Sequence, residues 1–343
     1  MVKNDSFLKV CRKQEAEHVP VWFMRQAGRY LKRYLEIKRG RNVLEVAKDP
    51  DSSSEAAVSA ARELGVDAAI IFADIILPIE SVGFPIRIEE NIGPVAQKRI
   101  KNTEDVSLFS DFDAEKHVPY VLDGIKLAKQ KLDDEIPLIG FSAAPFTLST
   151  YLLNGSPDRD GIKTRSVMFS DEETWTCLME NLSTLIIRYL NAQIKAGVDA
   201  IQLFDSWVGC LSPQDYDLYI SKYTKKIFSS LPKDFPKIHF CADSSGLIES
   251  FSSIGADVLS VDWRTSMVDA YKRSGGIPIQ GNMDPVIPLS GLKKAEAAAK
   301  YIIDQNKDIP YIFSLGHGII EGTDPDVLKK IVEIVHTEGK RKR

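Results

Sequence analysis

The stretch GVDAIQLF, Gly197 to Phe204, is a glycine and a turn acid leading into a short apolar run. Upstream, residues 171–196 carry apolar side chains at helical spacing, and Gly197 can end such a helix because it accepts a left-handed backbone at no steric cost. The run after it is short, β-branched or aromatic, and bounded upstream by turn residues, which reads as a buried strand. The unit of helix, glycine stop and strand recurs at GVDAAIIF (65–72) and GADVLSV (255–261). Before Gly65, the alanine-rich segment 52–64 opens with Ser52-x-x-Glu55, the spacing of a capping box.

Working outward, the comparable runs are PVWF (20–23), DAAIIF (67–72), PLIGF (137–141), DAIQLF (199–204), KIHF (237–240), DVLSV (257–261), PIQG (278–281) and YIFSL (311–315). Eight near-continuously apolar strands separated mainly by helical stretches predict an α/β fold of the single-domain (β/α)8 barrel type, each strand covered on both faces. The alternative is a doubly wound open sheet, but no G-x-G-x-x-G follows the first run. No linker or shift in composition divides the chain, so one domain over residues 1–343 is expected, ending in a short flexible basic tail, KRKR (340–343).

Composition narrows the function. The 343 residues are 44% hydrophobic and 27% charged, the make-up of a globular protein, with no apolar run approaching membrane-spanning length. The N-terminal stretch MVKNDSFLKVCRKQEAEH has charges where a signal peptide carries its apolar segment. Four scattered cysteines suit a reducing, cytoplasmic compartment. A net charge of −4 gives no global attraction for nucleic acid or an acidic membrane, so any anionic partner must be held by local clusters of Lys and Arg.

A barrel places its active site at the carboxyl ends of the strands. The residues there are Arg25, Gln26 and Arg29, then Asp74, Ser142, Asp205 and Ser206, Asp262 and Arg264, Asn282 and Asp284, and His317. Segment 25–41 holds Arg25, Arg29, Lys32, Arg33, Lys38, Arg39 and Arg41 against the single acid Glu36. Arg25 and Arg29, with Gly28 between them, can converge two guanidinium forks on carboxylates or phosphates; Lys32, Arg33, Arg39 and Arg41 read as a solvated helix face. Asp74, flanked by apolar residues, needs donors, either within a structural bridge or from a ligand. Tyr151, after the small-residue stretch GFSAAPFTLST, is either a core tyrosine or a pocket wall, and Ser206 either a helix cap or a ligand contact. His317 lies between Gly316 and Gly318, which exposes its ring. His239-x-Cys241 offers two zinc ligands without a third at telling spacing. There is no Ser-His-Asp series, P-loop or nucleotide fingerprint, so the residues alone describe an anion-gripping barrel mouth.

The segments PVWFMRQAGRYL (20–31) and GFSAAPFTLSTYLLNG (140–155) closely resemble the two signature motifs of the uroporphyrinogen decarboxylase family, and DAAIIFADIILP, FDSWVG and LGHGI follow in the expected order. The resemblance implies a distorted (β/α)8 barrel, a homodimer and no metal or organic cofactor. It further implies a substrate, uroporphyrinogen III, whose four acetate side chains are decarboxylated to methyls in haem and tetrapyrrole biosynthesis. Carried over residue by residue, Arg25, Gln26, Ala27, Gly28 and Arg29 form the loop that grips substrate carboxylates. Lys38 stands where an arginine often contributes, Asp74 is the central carboxylate, and Tyr151, Ser206 and His317 complete the pocket. Asp74 and Arg25 are the catalytic candidates.

Some positions depart from the pattern: Ala143 replaces a glycine, Lys38 cannot fork around a carboxylate, and HFCADSSG and HGIIEGTDP differ from the common forms. Two rivals follow. One is a zinc-dependent corrinoid or coenzyme M methyltransferase of the same superfamily, supported by His239-x-Cys241; the other is a non-catalytic tetrapyrrole-binding protein.

Overall fold

The computed structural model describes residues 2–89 and 93–341. Its nine strands are β1 (Ala69–Ile70), β2 (Ile86–Glu89), β3 (Gly93–Ala96), β4 (Leu138–Ala143), β5 (Ala200–Asp205), β6 (Lys237–Cys241), β7 (Val258–Ser260), β8 (Ile279–Met283) and β9 (Tyr311–Leu315). Seven form one parallel sheet in the order β1-β4-β5-β6-β7-β8-β9, with helices on its outer face.

Residues 20–23, read as a full strand, appear instead as a single parallel bridge between Val21 and Phe313. They still sit between the sheet's two edges. On one side Trp22 N–H donates to the Phe313 carbonyl at 3.3 Å and Phe313 N–H to the Pro20 carbonyl at 2.8 Å; on the other, Asp67 N–H donates to the Val21 carbonyl at 2.7 Å. The segment thus closes the curled sheet into a barrel. Its ladder is thin because Pro20 has no N–H to give and the Val21 N–H is taken by the Asp67 carboxylate at 2.6 Å.

The helix Glu172–Ala196 shows how outer elements are fixed. Asp171 caps it by accepting from Thr174 N–H, acids fill its first turn, and Gly197 ends it at φ 116°. Its buried stripe, Trp175, Leu178, Met179, Leu182, Leu185, Ile186 and Tyr189, meets the sheet. At the stripe's end, Gln193 accepts from Phe141 N–H at 2.9 Å and donates to the Phe141 carbonyl at 2.8 Å. A Cβ on neighbouring Gly140 would lie 2.5 Å from the Gln193 oxygen, so a side chain there would push Gln193 off its bonds to Phe141.

The expected capping box at Ser52 and Glu55 is absent. The helix begins at Pro50, whose fixed φ suits the first turn, so Ser52 and Glu55 already lie inside it. Ser52 donates to Asp49, and Glu55 pairs with Arg33 at 2.9 Å. A true capping box forms at Asn42 and Glu45.

The antiparallel hairpin β2–β3 has no counterpart in the sequence reading. It is an insertion after β1, and the chain leaving it bonds Ala96 N–H to the Gly155 carbonyl and Ile100 N–H to the Leu152 carbonyl. It therefore backs the far end of the helix Pro145–Asn154, which carries Tyr151. Of the basic end expected to be loose, Lys340 bridges His18 and Arg341 donates to the Ile309 carbonyl at 2.6 Å; Lys342 and Arg343 lie outside the described residues.

Inside the barrel, Trp22 Nε1 donates to Gln280 at 2.7 Å, and the Gln280 amide donates to Gln202 at 3.0 Å and Ser260 at 2.8 Å. Above this polar layer, Phe141, Phe204 and Phe240 meet edge to face at 5.5 Å, and the Phe240 ring lies 5.9 Å from that of His317. These rings make an apolar wall leading up to the mouth.

Candidate active site

Strand parity decides which polar residues face the mouth. Gln202 points into the barrel, so Phe204 does too, and Asp205 points out towards the helices, where it is fully buried. Ser142, also expected at the mouth, lies within β4, fully buried, its hydroxyl bonded to the Ala143 carbonyl. Asn282 and Asp284 serve their own loops: the Asn282 amide donates to the Asp262 and Thr265 carbonyls, and Asp284 accepts from Val286 N–H.

Arg25 follows the closing segment in a left-handed backbone conformation, φ 64°, rare for a side chain with a Cβ. That turn lays it across the loop after β9: a Cβ on Gly318 would come within 2.5 Å of Arg25 Cδ. Glycine at 318 is therefore a condition for the arginine's position beside His317. Gln26 is buried, its Oε1 accepting from Phe23 N–H at 3.2 Å, while its Nε2 has no partner among the described residues. The Tyr30 hydroxyl donates to the Gln26 carbonyl, and Ala27 packs on the core, so the loop is braced from inside.

Asp74 lies in the turn after β1, half-buried by its contact with solvent but deep among protein atoms. Among the described residues its carboxylate accepts a hydrogen bond from the Ile76 N–H at 3.1 Å, and no side chain claims it. Burial pushes it up to about 6, opposed by the backbone donors and by the nearby Arg25 charge. Tyr151 is buried on the helix Pro145–Asn154, its hydroxyl pushed up to about 12 by burial and by the Asp74 charge. The Trp207 indole N–H favours the ionised form of that hydroxyl from close by, without hydrogen-bond geometry, and has no partner among the described residues. Ser206, half-buried, is the residue before it. His317 is pushed down to about 4 by burial and then by Arg25, so its ring is neutral at pH 7.

Arg25 thus acts electrostatically on Asp74, Tyr151 and His317 together, and these four form one constellation. Arg29 stands apart at the rim, exposed and paired with Glu321 at 3.0 Å. Lys38, half-buried, ends the helix Lys32–Lys38, and among the described residues no ion pair ties it to the pocket.

The sequence reading passed over one feature of the rim. Asp243 accepts from Arg159 at 3.0 Å and Arg264 at 2.8 Å, while fully buried Asp262 holds Arg264 at 2.6 Å and Asp243 N–H at 2.7 Å. Asp262 and Arg264 were legible by position after a strand. Asp243, two residues after β6, carried the same positional signal and was passed over; Arg159 comes from a separate loop and carried none.

His239 and Cys241 share the outward face of β6, both buried, the imidazole packed 4.7 Å from the Phe251 ring. Neither opens into the mouth. Asp205 lies 4.0 Å from His239 and accepts from Thr147 Oγ1 at 2.9 Å, near the start of the Tyr151 helix.

A family model described as "Uroporphyrinogen decarboxylase (URO-D)" matches residues 2–338. The chain is 40% identical over 336 residues to a protein from Carboxydothermus hydrogenoformans named uroporphyrinogen decarboxylase, covering 97% of this chain and 96% of that one. It is also 40% identical over 343 residues to the protein of the same name from Bacillus subtilis, covering 99% and 97%. A solved structure titled as a methyltransferase from Methanosarcina mazei superposes with a TM-score of 0.81 over 98% of both chains at 17% identity, a likeness of fold alone. With the motif segments, the barrel and these full-length matches in agreement, the chain belongs to the uroporphyrinogen decarboxylase family.

Proposed function

We infer that this chain decarboxylates the four acetate side chains of uroporphyrinogen III in turn, giving coproporphyrinogen III without a metal or organic cofactor. The observation that carries the mechanism is Asp74, a deep carboxylate with no side-chain partner among the described residues, beside Arg25 at the mouth of the barrel. A porphyrinogen offers inward-facing pyrrole N–H donors at its centre and carboxylates around its edge. Asp74 accepts the central N–H groups, which satisfies its own burial and holds the ring in one shape. Arg25 and Arg29, with the loop through Gln26, Ala27 and Gly28, grip edge carboxylates; Lys38 supplies a further positive charge at longer range.

In the reaction, a proton adds to a pyrrole α-carbon and makes that ring cationic. The bond between the acetate methylene and its carboxylate breaks, its electron pair enters the ring, and carbon dioxide leaves. The resulting exocyclic methylene takes a proton to become methyl, and the α-carbon gives its proton back, so each cycle consumes one proton. Ionised Asp74 stabilises the ring cation. Arg25 orients the departing carboxylate or a water molecule, since a guanidinium is a reluctant acid. Tyr151, Ser206 and neutral His317 shape the pocket and offer hydrogen bonds to the substrate edge.

No observation favours the zinc methyltransferase, because His239 and Cys241 face the outer helices. The resemblance also supports reading the chain as a cytoplasmic homodimer, and exposed Phe169 and Leu218 offer apolar surface for a second copy. The test is anaerobic incubation with uroporphyrinogen III followed by chromatography of the oxidised porphyrins. Stepwise loss of carboxyl groups is expected; unchanged substrate that nevertheless binds would establish the non-catalytic reading instead.

A further inference from the structure

At the end of the barrel opposite the mouth, Asp67 lies just ahead of β1 with its carboxylate 1% exposed. Four groups from separate parts of the chain converge on it. Asn4 Nδ2 and His18 Nε2 stand 2.7 and 2.9 Å from Oδ1; Val21 N and His336 Nε2 stand 2.6 and 2.8 Å from Oδ2. The two imidazoles meet edge to face, ring centroids 4.8 Å apart, and their side chains remain 22% and 33% exposed. The ligand atoms of His18, Asp67 and His336 all lie within 4.8 Å of one another.

We propose that His18, Asp67 and His336 form a binding site for one divalent transition-metal ion of the zinc class, unrelated to the decarboxylation chemistry. Two imidazole nitrogens and a carboxylate oxygen are a donor set suited to zinc, with a further position left for water. Imidazole donors disfavour magnesium and calcium, which select oxygen. Solvent reaches both rings, so the ion has an entry path. Ligands about 2.0–2.2 Å from a tetrahedral zinc stand roughly 3.3 Å from one another. Drawing the ion in therefore asks each imidazole to retreat from its carboxylate oxygen by a few tenths of an ångström, and asks the widest pair of ligand atoms, 4.8 Å apart at most, to close by up to about 1.5 Å.

On binding, the metal replaces the proton at each Nε2: a neutral ring changes tautomer, its one proton moving to Nδ1 by exchange with solvent, and a ring that carried both protons releases one to solvent. Asn4 and the Val21 N–H keep their hold on the carboxylate and fix its orientation, the part that supporting donors play around metal sites. The ion would join the N-terminal segment, the start of β1 and the helix Pro325–Glu338 at one point, tying together both ends of the chain.

The test titrates chelator-treated protein with zinc chloride, by calorimetry and thermal melting, with magnesium chloride as the control. One zinc per chain is expected, with a rise in Tm of roughly 4 °C at free zinc a hundredfold above Kd; magnesium should do nothing. The deciding variants are His18→Gln and His336→Gln, whose amide can still donate to Asp67 but cannot replace an imidazole as ligand. Each should fold with a melting point near that of the parent without metal and bind zinc at least tenfold more weakly. Absence of a zinc-dependent shift in the parent, or equal zinc affinity in the parent and both variants, would overturn the proposal. The readouts do not involve porphyrinogen turnover, so they stand whatever the outcome at the mouth.

Discussion

Asp74 has its proton affinity set by burial, and the sign of the effect makes the catalytic reading testable. A carboxylate pushed up to about 6 is ionised above that pH and protonated below it, so activity that needs the anion should fall as pH drops through about 6. A kcat/KM profile with its acid limb near 4 would argue against Asp74 as the group responsible. Asp74→Asn should keep much of the substrate affinity and lower turnover by about a hundredfold or more, because the amide accepts hydrogen bonds but cannot balance a ring cation. Arg25→Ala should raise KM and lower kcat together. Gly318→Ala tests the arginine's placement without touching its charge, since the added methyl would occupy the space of Arg25 Cδ; it should reproduce part of the Arg25→Ala defect. Arg25, Asp74 and His317 were legible because each directly follows a strand. That Arg29 pairs with Glu321, almost three hundred positions downstream, was not, because only folding brings the two together.

Among the elements, the helix Pro145–Asn154 depends on a residue outside it. Asp205, at the end of β5, receives the Thr147 hydroxyl at 2.9 Å near the start of that helix, one turn before Tyr151. Burial pushes Asp205 up to about 7, and its other oxygen has no partner among the described residues. The folded chain therefore holds a proton on Asp205 that the unfolded chain gives up near the ordinary carboxylate value, so this group's contribution to stability falls as pH rises from about 4 to 7. Asp205→Asn removes the charge and keeps an acceptor for Thr147. Its Tm should depend less steeply on pH than the parent's over that range, as a pair of melting series would reveal; an unchanged slope would count against this assignment. A second element-level test is Asp171→Ala, which deletes the cap of the helix Glu172–Ala196 and should cost about 1 kcal/mol in denaturant unfolding.

For the molecule as a whole, the barrel is closed by residues 20–23, which do so with few backbone bonds. The side chain of Trp22 supplements them, since its N–H enters a chain of hydrogen bonds through Gln280 to Gln202 and Ser260. Trp22→Phe would leave the Gln280 oxygen without its donor, at a cost of about 1–3 kcal/mol, measurable as a lower denaturant midpoint with an unchanged slope. Closure also places Arg25, because the arginine is two residues beyond the segment that fills the gap between β1 and β9.

The chain's local chemistry determined much of this protein: short apolar runs, three of them after glycine stops, make the barrel strands, and position after a run marks the residues at the carboxyl end of the sheet. Those properties are written in neighbouring residues. Only the tertiary structure decided which side of a strand end faces inward, turning Asp205 away from the mouth and leaving Ser206 to begin the loop beside it. It likewise decided that the first run closes the ring through a single bridge, and that His18, Asp67 and His336 meet. These outcomes depend on contacts between residues far apart in the chain, so no local pattern carries them.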